Sequence, residues 1–331
     1  MLGNRTIIWI ATQEDFGISA TEPQVYIKWK SVDLNETTTT QRAEDTFGVR
    51  WNFSEVYTIW KYLEDWSMET YLRLASSPFI LFSAFWLSST VDNGDTTYTH
   101  TFEASDNETL KPITIFVDED WTTYKYTDVV VSQLELSGEA DGEVNMTASF
   151  IWWEKKDLDG WDSIWTKTFL TWSEDMIVKS KNLWFYIANE QGESETEEIL
   201  SSFSLTINNE VSAYRGFNSI SPKSFDATDL DVSLSLTVRD WKWKINWKDL
   251  RDNETPRYLK ITSTEANGDT LNLEFFKCYV EEVSESISRW EMKENEISLA
   301  VWYDEVNKRI IKSEITNWIA SYDYDAWIIY S

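Results

Sequence analysis

Residues 97–154 read TYTHTFEASDNETLKPITIFVDEDWTTYKYTDVVVSQLELSGEADGEVNMTASFIWWE. Val130, Leu134 and Leu136, with Ser132 between them, and then Val144, Met146, Ala148 and Phe150 place apolar side chains at every second position, the period of a strand with one buried face. The polar run at 137–142, SGEADG, separates the two series and reads as a hairpin connection. Tyr98, His100 and Phe102 alternate in the same way ahead of them. The segment is a succession of strands and turns, and none of its residues is arranged as a catalyst.

Outward from that stretch, the chain keeps the same texture. Residues 48–62 (GVRWNFSEVYTIWKY) read as strands. The Thr-rich residues 35–40 sit in a stretch that reads as a long loop or arm. Residues 77–87 (SPFILFSAFWL) are the best helix of the first half, opened by Ser-Pro and almost continuously apolar, as in a buried helix. Asp92, Asn93, Gly94 and Asp95 form a turn. Beyond a link at 157–175, the pattern returns. Ile199, Phe203, Leu205 and Ile207 echo 130–136, and Val232, Leu234, Leu236 and Val238 echo 144–150. An apolar strand at 183–188 runs into an acidic loop at 189–198, and later strands are expected at 258–262, 270–280, 296–303 and 326–330. The expectation is a mainly β chain of two tandem units, 1–165 and 166–331, with a short flanking helix near 77–87.

Composition removes several classes of chemistry. The net charge of −28 repels phosphates and argues against a nucleic-acid binder. His100 is the only histidine and Cys278 the only cysteine, so a histidine zinc cluster and an internal disulfide are both excluded. The chain has neither a Walker loop nor a G-x-S-x-G elbow. Cys278 lies in an apolar run and reads as a buried thiol. The pattern Asp-x-Asp-Gly at 157–160 lacks the remaining calcium ligands and reads as a turn. The longest apolar stretch, 79–87, is too short to span a bilayer. The 20 tryptophans are the compositional outlier. Trp152-Trp153 and Trp241, Trp243 and Trp247 are the candidates for a sugar-stacking platform, weighed against core or interface packing. Trp243, Trp247 and Leu250 fit helical spacing, whereas Trp241, Trp243, Ile245 and Trp247 fit a strand face. No catalytic residue, cofactor site or metal site is expected.

Tyr98-Thr99-His100-Thr101-Phe102, then Pro112-Ile113-Thr114-Ile115, then Tyr126-Thr127-Asp128 leading to Leu134-Glu135-Leu136-Ser137-Gly138, resemble the tail tube proteins of long-tailed bacteriophages. The short helix before them falls where that family has one. Asp128 departs from the pattern, since a small residue such as Gly is common there. The resemblance implies a non-enzymatic structural subunit built of β-sandwiches with a flanking helix. Its long strands would join between subunits into a closed barrel, and its rings would stack into a hollow tube through which the genome passes. The implied partners are further copies of itself and other tail proteins: tape measure, tail terminator and distal tail protein. The implied place is the virion tail, assembled in the host cytoplasm without a membrane.

With two tube-type units per chain, a trimeric ring with pseudo-sixfold symmetry is expected, with a hexamer as the alternative. Three chains of −28 bring −84 to each ring, so an acidic lumen that does not hold DNA is expected. The loops 35–47 and 208–231 and the tail 315–331 are the expected ring-to-ring contacts. The interface candidates are Asn35, Thr40, Phe47, Tyr214, Phe217, Phe225 and Trp327. Two other readings compete: a distal tail or baseplate protein, and a Trp-rich carbohydrate-binding module.

Overall fold

The structure is a computed structural model that describes residues 6–33, 37–46, 52–104, 110–119, 122–152, 154–158, 170–171, 173–214, 224–239, 245–286 and 294–322. The first half contributes β1 (Thr6–Thr12), β2 (Val25–Ile27), β3 (Trp29–Asp33), β4 (Thr37–Thr46), β5 (Asn52–Tyr71), helix α1 (Pro78–Ala84), β6 (Trp86–Asp92), β7 (Tyr98–Glu103), β8 (Ile113–Glu119), β9 (Thr122–Glu139), β10 (Asn145–Trp152) and β11 (Glu154–Leu158). The second half contributes β12 (Leu183–Ala188), β13 (Thr196–Glu198), β14 (Leu200–Asn208), β15 (Val211–Tyr214), β16 (Ser224–Ala227), β17 (Asp231–Arg239), helix α2 (Trp247–Asp252), β18 (Arg257–Thr264), β19 (Thr270–Ser286), β20 (Glu294–Val301) and β21 (Ile311–Asn317).

The alternating stretch is the spine of the molecule. β9 and β10 pair antiparallel, with Leu136 opposite Met146 and Leu134 opposite Ala148. Leu134, Leu136, Met146, Ala148 and Phe150 are all buried. A β-bulge lies between Val131 and Gln133, and the whole run Val129–Val130–Val131 is buried, so the simple alternation stops there. Eight strands form the main sheet in the order β3-β5-β10-β9-β14-β17-β20-β19, all antiparallel. Two flanking sheets grow from the other ends of the long strands. One is β2-β1-β8-β9-β11, and the other is β13-β12-β18-β19-β21-β7-β6. One apolar core joins them, from Ile8 and Trp66 through Phe150 and Leu205 to Leu273 and Ile315.

Apart from β4–β5 and β6–β7, each pairing of the first half has a counterpart in the second. Strands β3, β5, β10 and β9 correspond to β14, β17, β20 and β19, and β2, β1, β8 and β11 to β13, β12, β18 and β21. The irregularities also correspond. The β3–β5 register slips between Trp29 and Ser31, and the β14–β17 register slips between Leu200 and Ser202. The β8–β9 slip between Ile113 and Ile115 matches the β18–β19 slip between Arg257 and Leu259. The β9–β10 bulge matches the slip between Val280 and Glu282. The hairpin β6–β7 is the addition of the first half, and it pairs with β21 of the second. The halves therefore share hydrogen-bonded sheets on both sides of residue 165.

Several local expectations change. The helix ends at Ala84 rather than at 87, because Trp86–Asp92 is drawn into a ladder with β7. Ser77 precedes it, Pro78 is its first residue, and every one of its side chains is buried. The Thr-rich arm is a strand, β4, paired with the outer half of β5, in keeping with the strand preference of Thr. Ile199 falls outside β14 and is 69% exposed. Trp247 and Leu250 lie on a helix and are buried, with Asn246 capping it by accepting from the Asp249 N–H. Trp241, Trp243 and the strand expected at 326–330 lie outside the described residues. The sequence pattern does not mark β1 or β21 as elements: β1 is too uniformly buried to alternate, and β21 begins before the expected tail at 315–331 and runs into it.

Candidate assembly surfaces

The main sheet ends on two strands without a further neighbour among the described residues. β3 pairs only with β5. The outer part of β19, beyond Val280, pairs only with β20. Between these edges lies one internal junction of the two four-strand units, where β9 pairs with β14 and Leu136 stands opposite Leu205. At that junction Gly138 faces Phe203, whose Cε1 would stand 2.8 Å from a Cβ on residue 138. Only glycine lets the ring lie there undisturbed.

One face of the main sheet is buried, and the other is a field of hydroxyls, amides and carboxylates. Glu69, Thr147, Glu135, Thr206 and Ser233 form one cross-strand row. Tyr71, Asn145, Ser137, Ser204, Ser235 and Ser298 form the next. The carboxylates of Asp33, Glu282 and Glu296 share this face through their opposite residues Ser67, Ser298 and Thr237. Lys30 offsets one charge by an ion pair with Glu69 at 2.5 Å, which pulls the Glu69 carboxyl below its usual range.

Two hairpins leave the sheet at corresponding places, between β3 and β5 and between β14 and β17. The first is the ten-residue ladder of β4 with β5, and the second is the short pair β15–β16. Both coincide with loops expected to make contacts between rings. Tyr214 closes β15 and is 60% exposed. Phe225 is instead fully buried, its ring 6.2 Å from that of Phe16, so it packs within the chain. Thr40 lies in β4 opposite Thr58. Asn35, Phe47, Phe217 and Trp327 lie outside the described residues. Residues 315–322 of the expected tail turn inward, with Ile315, Ile319 and Tyr322 buried.

The described polar groups inside the protein tie strands and loops together. His100 is fully buried, with Nε2 2.7 Å from the Ile319 carbonyl, Nδ1 3.0 Å from Thr90 Oγ1 and its ring edge-on to Tyr322. Burial pushes its pKa down. Tyr322 and Asn317 donate in turn to the backbone of Ala75 and Leu74, which fixes the segment 317–322 beside α1. Asp128 has φ +55°, a left-handed conformation that favours Gly or Asn and Asp. Its carboxylate accepts from Gly17 N–H at 2.7 Å and Gln13 Nε2 at 2.9 Å, and its own N–H donates to Gln13 Oε1. Burial raises its pKa against these donors. The residue that departs from the resemblance is thus the clamp at the bend where β9 passes between sheets. Asp175 is buried with Arg73, Lys28 and Ser76, and it ties the second half to the start of α1. Cys278 is buried, and burial raises its thiol pKa. No group of three or more His, Cys, Asp or Glu is placed to hold a metal among the described residues. No helix there is long and apolar enough to cross a membrane. Among the described residues, Trp9, Trp66, Trp152 and Trp247 are core residues, while Trp184 on β12 and Trp302 just past β20 are exposed.

The family model described as phage tail tube protein matches residues 3–288, from just before β1 to just past β19. The chain belongs to that family. The search of curated proteins returned no match. As a tail tube protein it is a structural component of the virion tail, and its β-rich fold suits that role. Sequence reasoning found the family through β7 to β10. It missed Tyr322, Asn317 and the Asp175 cluster, whose only signal is burial created by long-range contacts.

Proposed function

We propose that this chain self-assembles into rings that stack into the hollow conduit for genome ejection. The observation that carries the reading is the sheet of two corresponding four-strand units, β3-β5-β10-β9 and β14-β17-β20-β19, joined edge to edge and ending on two edges that have no further strand among the described residues. A unit that already continues itself once within a chain can continue between chains, and closure into a barrel removes both edges. The units 1–165 and 166–331 are the two repeats, with β6–β7 contributed across the boundary.

Three chains close the ring with pseudo-sixfold symmetry. Eight strands from each make a barrel of twenty-four, about 50 Å across at about 4.8 Å between strands and a tilt of about 40°. Six chains would double that width. The hydroxyl and carboxylate face lines the lumen and the apolar face is covered by the flanking sheets and helices. Like charge then keeps the passing genome from adhering. The β4–β5 and β15–β16 hairpins alternate around the ring and contact the next one, and tape measure, terminator and distal tail proteins meet the tube at its inside and ends. Assembly takes place in the host cytoplasm. Negative-stain images of the purified chain are expected to contain rings or filaments with threefold-repeating subunits. A monomer at every concentration, or rings of six chains, would count against the reading.

A further inference from the structure

Two exposed apolar features stand at opposite ends of the second four-strand unit. Leu200 pairs with Val238 and Val238 with Asn295 at one end, and Ile207 pairs with Val232 and Val232 with Val301 at the other. The run Val232–Val238 of β17 separates the two rows by about 20 Å. At the first end, a cavity of about 190 Å³ lies between the main sheet and the flanking sheet, lined by Gly138, Trp184, Ile199, Leu200, Phe203 and Ile261. Ile199 is 69% exposed and Trp184 50%, so the apolar lining reaches the surface. The volume exceeds the ~150 Å³ in which an apolar cavity holds a benzene ring. Glu139, Glu197 and Glu198 also line it, with Lys181 as the one cation of the lining.

At the second end, β20 passes to β21 through a tight turn. The Asp304 N–H donates to the Arg309 carbonyl at 2.8 Å, and the Lys308 N–H to the Asp304 carbonyl at 2.7 Å. The Asp304 carboxylate accepts from the N–H groups of Val306 and Asn307 and from the Asn307 side chain. These bonds fix the turn and leave Val306 87% exposed at its tip, with Tyr303 and Trp302, the latter edge-on to Tyr279, exposed at its base. An apolar side chain held in water on a fixed turn is preorganised for a contact. The charges of Asp304 and Glu305 cancel those of Lys308 and Arg309, so the tip is formally neutral on a chain of −28.

We infer that Val306 of one chain enters the cavity beside Trp184 and Ile199 of a second copy in the next ring. The inference rests on the tube reading and adds an axial contact to it. Tip and cavity lie at opposite ends of the sheet, so each contact leaves a tip unfilled on one side and a cavity on the other. Such a heterologous contact propagates into a stack instead of closing a pair. The tip leaves water as it enters, and Lys308 meets the acidic lining, where most of this acidic surface would be repelled. The first half brings no such turn, because β10 ends at Trp152 and β11 begins at Glu154. A ring of three chains therefore grips the next at three points rather than six.

The test is Val306→Asp in the full chain, at a position too exposed for the substitution to threaten folding. Rings are expected to persist, while the concentration at which they become tubes rises about tenfold or more, read by sedimentation and negative stain. Val91→Asp puts the same charge at another exposed valine, on β6, and should leave tube formation unchanged. Tubes mixed from Val306→Cys and Ile199→Cys chains should give covalent dimers with a short bis-maleimide, and neither variant alone should. Val306→Cys mixed with Val91→Cys should give none. Native Cys278 is 1% exposed and does not compete. Tubes of Val306→Asp at the unsubstituted concentration, an equal loss with Val91→Asp, loss of the rings themselves, or no cross-link to Ile199→Cys overturns the axial contact and leaves the tube reading standing. An unsubstituted chain that forms neither rings nor tubes overturns the tube reading and the contact with it.

Discussion

The two halves run the same ladder with different side chains. In the first, Trp66 lies between Tyr126 and Phe150, with ring centroids 5.2 and 5.1 Å away. The corresponding positions in the second hold Leu234, Phe275 and Leu299, also buried. The bend of β9 is clamped by Asp128 at φ +55°, whereas the corresponding Lys277 has no positive φ. Helix α1 is wholly buried, and α2 buries only Trp247 and Leu250. What persists is the position of three slips and the face that is apolar, so the fold is encoded by phase and register rather than by residue identity.

The sharpest way to break this equivalence is to hollow out the two cores. Trp66→Ala is expected to lower stability by about 3–5 kcal/mol and Leu234→Ala by about 2–5 kcal/mol, read from denaturant midpoints. A single cooperative transition in both variants would mean that the halves unfold as one unit through their shared core. A two-step transition in either variant would mean that they are separable.

The next test is at the internal junction. Gly138→Ala drives a methyl against Phe203 and is expected to destabilise by about 1–3 kcal/mol. Adding Phe203→Leu should recover most of that loss. No rescue would place the strain elsewhere than between the two units.

The clamp distinguishes the halves more gently. Asp128→Gly relieves the left-handed backbone but deletes the hydrogen bonds to Gln13 and Gly17, and a net loss of about 1–2 kcal/mol is expected. Lys277→Gly at the corresponding position should change stability by less. The reverse order would remove Asp128 as the cause of the bend.

The smallest effect is a matter of pH. Asp269, in the turn between β18 and β19, is 5% exposed, and burial pushes its pKa up to about 6. The folded state therefore holds a proton that the unfolded chain releases near 4. The stabilisation is present below that value and is lost as pH rises through about 6. Asp269→Asn should flatten this slope and raise stability above pH 6 by about 1–2 kcal/mol. A slope unchanged by the substitution would assign it to another buried carboxyl such as Asp128.

The legible parts of this molecule were those whose evidence lies within a few residues. The alternation from Leu134 to Phe150, the Ser-Pro helix start, the turn at 92–95 and the strand at 183–188 are local, and each appears where the pattern put it, with the helix a few residues shorter and the alternation broken by the bulge before Gln133. His100 and Cys278 were legible as structural residues from their apolar settings, and both are buried. Phe225 was not, because its burial under Phe16 joins residues far apart in sequence. The same holds for the Thr-rich arm, whose partner strand decides that it is a ladder.

The amino-acid sequence by itself determined that the chain is β-rich and acidic, because side-chain period and net charge are sums over neighbours. It also carried the family through one stretch of motifs. Only the tertiary structure decided that β7 crosses to pair with β21, that β9 joins β14, and that the slips of the two halves coincide. Strand edges have no address in the sequence. The same backbone donors and acceptors would pair with any strand, and only the packing of the faces behind them selects one partner and one register.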